Sequence, residues 1–123
     1  MGAAAQEADP TDPRAYNNMA LCHKKLAVSL EESNPETSAE HWQRASEVAE
    51  EAARRANALL QAARASGGGA AGEQPHLRAQ LAKALYYRGM SKCRRGEGAE
   101  GQRLLEAAAS EARGLGDSAT GLV

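Results

Sequence analysis

The chain of 123 residues has no phenylalanine and no isoleucine, and only 3% of its residues are aromatic. Because β-sandwiches and β-barrels are built from β-branched and aromatic residues, this shortage excludes most all-β folds. Alanine, by contrast, occurs 28 times, and leucine, glutamate and arginine are also frequent. These residues are strong helix formers, so the composition predicts an all-α fold in a single domain.

The chain also has no long apolar run, a net charge close to zero and only two cysteines. No segment approaches the roughly 18 apolar residues of a membrane-spanning helix, and we expect no membrane insertion. The net charge of −1 argues against a nucleic-acid partner that is attracted by bulk charge. Two cysteines are too few for a disulfide framework. The expected location is therefore the cytoplasm or another reducing intracellular compartment, an organelle included.

Proline, glycine and capping residues divide the chain into four predicted helices. Asp12 followed by Pro13 is typical of a helix start, and Pro35 marks the next one. Gly114 is the predicted C-cap of the last helix. The predicted order is a flexible segment over 1–12, a hairpin over 13–65, a glycine-rich linker over 66–74, a hairpin over 75–113 and a tail over 114–123.

Apolar residues follow the spacing of three and four that marks one face of a helix. The predicted buried face of the first helix consists of Tyr16, Met19, Ala20, His23, Leu26, Ala27 and Leu30. The face of the second helix is mostly alanine, from Trp42 to Ala63. Alanine lets helices approach closely but buries little area, so we expect a thin core. We also expect Cys22 and Cys93 to be small buried thiols, and His41 to be exposed.

Two stretches resemble the first helix of a tetratricopeptide repeat (TPR). They are AYNNMALCHKKL, over 15–26, and AKALYYRGMSKCRRGE, over 82–97. In each stretch a large residue, Tyr16 or Leu85, stands one turn before a small packing residue, Ala20 or Gly89. The resemblance implies antiparallel α-hairpins in a right-handed α-solenoid fragment of about four helices. It also implies a non-catalytic protein–protein interaction module of the co-chaperone, adaptor or scaffold type.

The two stretches are most similar to the repeats of large immunophilins and other co-chaperones. In that family an Asn, and a Lys and an Arg one turn apart, hold the C-terminal carboxylate of a chaperone. Here Asn18 matches the Asn and Lys83 matches the Lys, whereas Tyr87 stands where the family has Arg. Arg14 lies one turn before Asn18 and shares its face. The predicted partner-binding groove is therefore Arg14, Asn18, Lys83 and Tyr87.

The resemblance implies a protein partner, such as an acidic C-terminal peptide of a chaperone or a large complex. Because the sequence contains no recognisable catalytic or metal-binding motif, we expect no catalytic residue, no cofactor and no metal. Two departures leave an alternative open, since Ala20 and Gly89 are about two repeat lengths apart and only two hairpins are predicted where about three are usual. The alternative fold is an unrelated four-helix bundle. The alternative function is a structural subunit that packs permanently within a larger multiprotein assembly.

A basic cluster, Lys92, Arg94 and Arg95, lies near the end of the third predicted helix. Cations at this end of a helix compensate its dipole, which is the simpler interpretation. The alternative is a contact to an acidic partner or to the backbone of RNA.

Overall fold

The computed structural model describes residues 12–65 and 73–115, which form four helices and no strand. They are α1 (Pro13–Leu30), α2 (Pro35–Ala65), α3 (Glu73–Arg94) and α4 (Gly98–Leu115). Each helix packs against the next one along the chain, and α1 also contacts α3 over a smaller area. The predicted all-α arrangement of helical hairpins is confirmed.

The helix bounds differ from the prediction mainly in the second hairpin. Helix α3 begins at Glu73, before the predicted start, and α4 continues through Gly114 to Leu115. The predicted C-cap at Gly114 is therefore wrong, because this glycine continues the helix instead of turning out of it. The predicted flexible segment up to residue 11, the linker over 66–72 and the tail over 116–123 lie outside the described residues.

Side-chain caps fix where the first two helices begin. The Asp12 carboxylate accepts a hydrogen bond of 2.9 Å from the backbone N–H of Arg14, and Pro13 occupies the first turn. Asn34 accepts a bond of 3.2 Å from the N–H of Thr37, directly before α2. These short polar side chains satisfy N–H groups that have no partner within the helix.

A tight turn connects α3 to α4. Gly96 has a φ of +83°, a left-handed conformation that glycine adopts at little cost. Its N–H donates to the carbonyl of Cys93 at 3.3 Å, and the N–H of Glu97 donates to the carbonyl of Lys92 at 2.9 Å. This pair of bonds is a Schellman motif, which ends α3 and lets α4 fold back beside it.

The core is built largely from alanine. The fully buried alanines are Ala20, Ala27, Ala45, Ala49, Ala52, Ala56, Ala82 and Ala84. Two larger rings, those of Trp42 and Tyr87, are also buried. On α2 the buried positions from Trp42 to Leu60 follow the predicted face, which confirms that part of the sequence analysis, and Ser38 is buried in addition. Within the described ranges, no helix is long and apolar enough to cross a membrane.

Helix α1 buries only part of the predicted face, namely Ala20 and Ala27. Met19 and Leu26, both expected in the core, are 36% and 46% exposed. The buried residues of α1 are Pro13, Asn17, Ala20 and Ala27. Because this face includes the polar Asn17, hydropathy alone predicts it only in part.

Helices α3 and α4 meet through two glycines. A Cβ atom on Gly89 would fall 2.8 Å from the Cγ atom of Leu105. A Cβ atom on Gly101 would fall 2.6 Å from the Cys93 sulfur, 2.9 Å from the Cys93 nitrogen and 2.9 Å from the Gly89 carbonyl oxygen. Two of these neighbours are backbone atoms, which cannot rotate away. The close approach therefore depends on glycine at both positions.

The Gly101→Ala variant tests this approach. We expect it to lower the free energy of unfolding by about 1–3 kcal/mol, because α3 and α4 must separate to admit the methyl group. The matched control is Gly98→Ala on the same helix, where an added Cβ meets nothing within 4 Å. This control should leave stability unchanged or raise it by about 0.4–1 kcal/mol. Urea denaturation followed by circular dichroism measures both, and equal stability of the two variants would contradict the close approach.

Candidate functional site

All four residues of the predicted groove line one cleft between α1 and α3. The cleft has a volume of about 170 Å³. Its α1 side is formed by Arg14, Asn17, Asn18 and Leu21, and its α3 side by Gln80, Lys83 and Tyr87. On each helix these positions are spaced by three and four, so they form one stripe. The cleft exists because the two stripes face each other across the junction of the two hairpins.

A buried amide pair forms the floor of this junction. The Nδ2 atom of Asn17 donates to the backbone carbonyl of Gln80 and to its side-chain Oε1, both at 2.9 Å. Asn17 is 3% exposed and Gln80 is 5% exposed. Buried hydrogen bonds of this kind are costly to break, because each partner would be left unsatisfied. The pair therefore fixes the position of α1 relative to α3.

The charges that line the cleft are positive, but the two cations differ in their surroundings. Arg14 is held by Asp12, whose carboxylate oxygens lie 3.0 and 2.9 Å from the guanidinium Nε. These side-chain hydrogen bonds hold the pKa of Asp12 below its usual range. In contrast, no described residue forms an ion pair with Lys83, which is partly buried. An anion in the cleft would therefore meet Lys83 as its main cationic contact.

Tyr87 is a core residue as well as part of the cleft wall. It is 8% exposed and packs with Ala20, Ala49 and Ala84 in the core. Burial, and to a smaller degree Tyr86, raises the pKa of its hydroxyl. Tyr87 therefore stays neutral at pH 7 and adds no charge to the cleft wall.

The sequence analysis missed three cleft residues, namely Asn17, Leu21 and Gln80. Asn17 and Leu21 continue the spacing of Arg14 and Asn18 on α1, and Gln80 stands one turn before Lys83 on α3. That spacing was the available signal. Residue spacing within one helix cannot predict that the Asn17 and Gln80 amides pair with each other.

The expectations for the cysteines were wrong. Cys22 and Cys93 are both exposed free thiols. Cys22 is exposed because the buried face of α1 passes through Ala20 and Ala27. Cys93 lies near the end of α3, where its sulfur faces Gly101 but the residue as a whole stays exposed. Among the described residues, no group of three or more His, Cys, Asp or Glu side chains is arranged to hold a metal ion.

His41 is half-buried, although we expected it to be exposed. Its Nδ1 atom lies 2.9 Å from the Nδ1 atom of His23, which joins α2 to α1. The ring centroids are 5.2 Å apart, so the two nitrogens point toward each other. One ring must donate and the other accept, because two protonated rings would place two N–H groups face to face. Burial, with the nearby charges of His41 and Arg44, lowers the pKa of His23.

Each residue of the basic cluster has a carboxylate partner on this chain. Arg94 pairs with Glu31 of α1 and lies over the ring of Trp42, with 5.5 Å to its centroid. Lys92 and Arg95 both contact Glu97, at 3.4 and 3.6 Å. Internal ion pairs therefore account for this cluster, and an external acidic group would have to displace them.

No family model matches the chain, and no curated protein or solved structure is similar enough to count as a match. The assignment of the chain to the all-α class therefore rests on the four described helices alone.

The lowered pKa of His23 predicts that stability falls as the pH drops. Unfolded His23 titrates near its ordinary value of about 6.5, and folded His23 titrates lower. Between these values the unfolded state binds more protons, so the melting temperature should fall from pH 7.5 to pH 5.5. Asp12 and Glu51, whose pKa values are lowered by arginine hydrogen bonds, lose their contributions only below about pH 4.5.

His23→Gln removes this titration, so its melting temperature should fall less over the same pH range. The control is His76→Gln, since His76 is exposed at the start of α3 and should not reduce the fall. Thermal melts of the three proteins at pH 7.5, 6.5 and 5.5 measure the effect. An equal fall in the wild type and in His23→Gln would show that His23 does not control it.

Proposed function

We propose that this chain is a non-catalytic protein-interaction module of the TPR type, which binds a peptide or partner protein in the cleft between α1 and α3. This role is that of a co-chaperone or adaptor. The observation that carries the proposal is the meeting of Asn18 and Lys83, from different hairpins, in one cleft. These are the residues that match the carboxylate-binding residues of the co-chaperone repeats.

The cleft is chemically suited to a carboxylate. Lys83 supplies a positive charge, and the Asn18 amide supplies a hydrogen-bond donor at the exposed rim. Arg14 would contribute only if it left Asp12, which already occupies its guanidinium. Tyr87 is neutral and cannot make the two-pronged contact of a guanidinium. We therefore expect weaker binding than the family's full set of donors would give.

The size of the cleft indicates which part of a ligand it takes. Pockets for whole small molecules measure roughly 300–1,000 Å³. The cleft is smaller, at about 170 Å³. It fits the end of a chain or one acidic side chain, with the remainder of a peptide lying along the surface outside.

A second function, as a subunit of a larger assembly, is favoured by exposed apolar side chains on α1. Leu26 and Val28 are 46% and 47% exposed. In an assembly these side chains would be covered by a neighbouring protein, and the cleft would have no ligand.

The peptide-binding function predicts that Lys83 controls affinity for a short peptide rich in Asp and Glu with a free C-terminal carboxyl group. Lys83→Ala should weaken binding about tenfold to a hundredfold, because it removes a charged hydrogen bond. Asn18→Ala should weaken it about twofold to tenfold. Isothermal titration calorimetry at low salt measures both.

The matched control is Lys25→Ala, which removes the same charge from an exposed position of α1 that does not line the cleft. Its affinity should stay within about twofold of the wild type. Equal affinities for Lys83→Ala and Lys25→Ala would contradict binding in the cleft. Absence of binding by the wild type would favour the assembly subunit.

A further inference from the structure

One polar atom of the cleft wall has no hydrogen-bond partner among the described residues. It is the side-chain oxygen, Oδ1, of Asn17, a residue that lines the cleft and is 3% exposed, with Oδ1 itself buried. Buried polar atoms are nearly always paired, because an unpaired one loses its hydrogen bond to water and gains nothing in return. An unpaired acceptor beside a cleft is therefore where a ligand with a suitable donor gains most.

The orientation of the Asn17 amide is fixed by its other end. Nδ2 donates to the backbone carbonyl of Gln80, and a carbonyl accepts but never donates. Exchanging Nδ2 and Oδ1 would place two oxygens 2.9 Å apart and lose both bonds to Gln80. The unpaired atom is therefore an acceptor, and what it needs is an N–H or O–H group.

The donor and the anion must belong to one small part of the ligand. Lys83 and Asn18, which suit a carboxylate, line the same cleft of about 170 Å³ as Asn17. The last residue of a peptide has both groups, since its own amide N–H is separated from its carboxylate by a single carbon atom. An acidic side chain within a peptide lies farther from any N–H of the backbone.

We infer that Asn17 is a specificity-determining residue, whose Oδ1 accepts the N–H of the ligand's last residue while the carboxylate of that residue binds Lys83. This inference rests on the proposed peptide-binding function and adds to it the second group that the cleft recognises. Oδ1 is covered in the structure, so the ligand reaches it by displacing a lining side chain. Arg14 and Lys83 are the long, flexible side chains there.

The test removes the donor from the ligand and leaves its shape unchanged. It uses the acidic peptide with its free carboxyl group, a version in which an ester replaces the last amide, and a version with the ester four residues earlier. The terminal ester lacks only the N–H that Asn17 would accept. We expect it to bind about five- to a hundredfold more weakly, and the internal ester to bind within about twofold of the parent.

The results separate this inference from the proposed function. If the parent peptide binds and Lys83→Ala weakens it, but the terminal ester binds as well as the parent, the role of Asn17 is wrong and the peptide site stands. If the parent peptide does not bind, the proposed function fails and this inference fails with it.

A protein variant checks that Asn17 is the acceptor. The Asn17→Ala variant should bind the parent peptide and the terminal-ester peptide with equal affinity, because the acceptor that distinguishes them is gone. Circular dichroism shows whether the variant is folded. If it does not fold, the comparison of the two peptides on the wild-type protein still tests the inference. A folded Asn17→Ala that still prefers the amide by the wild-type ratio would overturn the assignment to Asn17.

Discussion

A buried side-chain amide joins α1 to α3 at the junction of the two hairpins, beside the larger contact between α2 and α3. Asn17 reaches from α1 to the backbone and side chain of Gln80 on α3, across 63 positions of sequence, with both bonds at 2.9 Å. The contact between α1 and α3 is otherwise small. Because the cleft lies between these two helices, this amide pair helps to hold its two stripes of polar residues opposite each other. The candidate site thus depends on a residue of the core.

Small side chains make this geometry possible and also limit it. Alanine at Ala20, Ala49 and Ala84 lets α1, α2 and α3 approach until backbone groups and short polar side chains meet. Glycine does the same between α3 and α4. The approach buries little apolar area, so polar bonds between helices carry a larger share of the specificity. Ser91 illustrates this, since its hydroxyl donates to the carbonyl of Trp42 at 2.6 Å.

Composition predicted the all-α fold class, helical spacing the buried face of α2, and the Asp-Pro pair the capping of α1 by Asp12. The resemblance to tetratricopeptide repeats selected the four groove residues, which line one cleft. These features are local, because each is set by positions within one or two turns. The buried face of α1 and the half-buried pairing of His41 depend instead on how the helices turn toward each other. In α1 the large apolar side chains of Met19 and Leu26 are exposed, while the polar Asn17 is buried. The pairing of the Asn17 and Gln80 amides joins two helices, so it could not be predicted from the sequence of either helix alone.

The junction of the two hairpins is tested most directly by nuclear Overhauser contacts from the Asn17 side-chain amide in isotope-labelled protein. If the amide pair forms as described, the Nδ2 protons give cross-peaks to protons of Gln80 and exchange slowly with solvent, as expected for an amide that is 3% exposed. Cross-peaks confined to α1, with rapid exchange of the Nδ2 protons, would show that the hairpins do not meet there. The cleft would then not exist in solution.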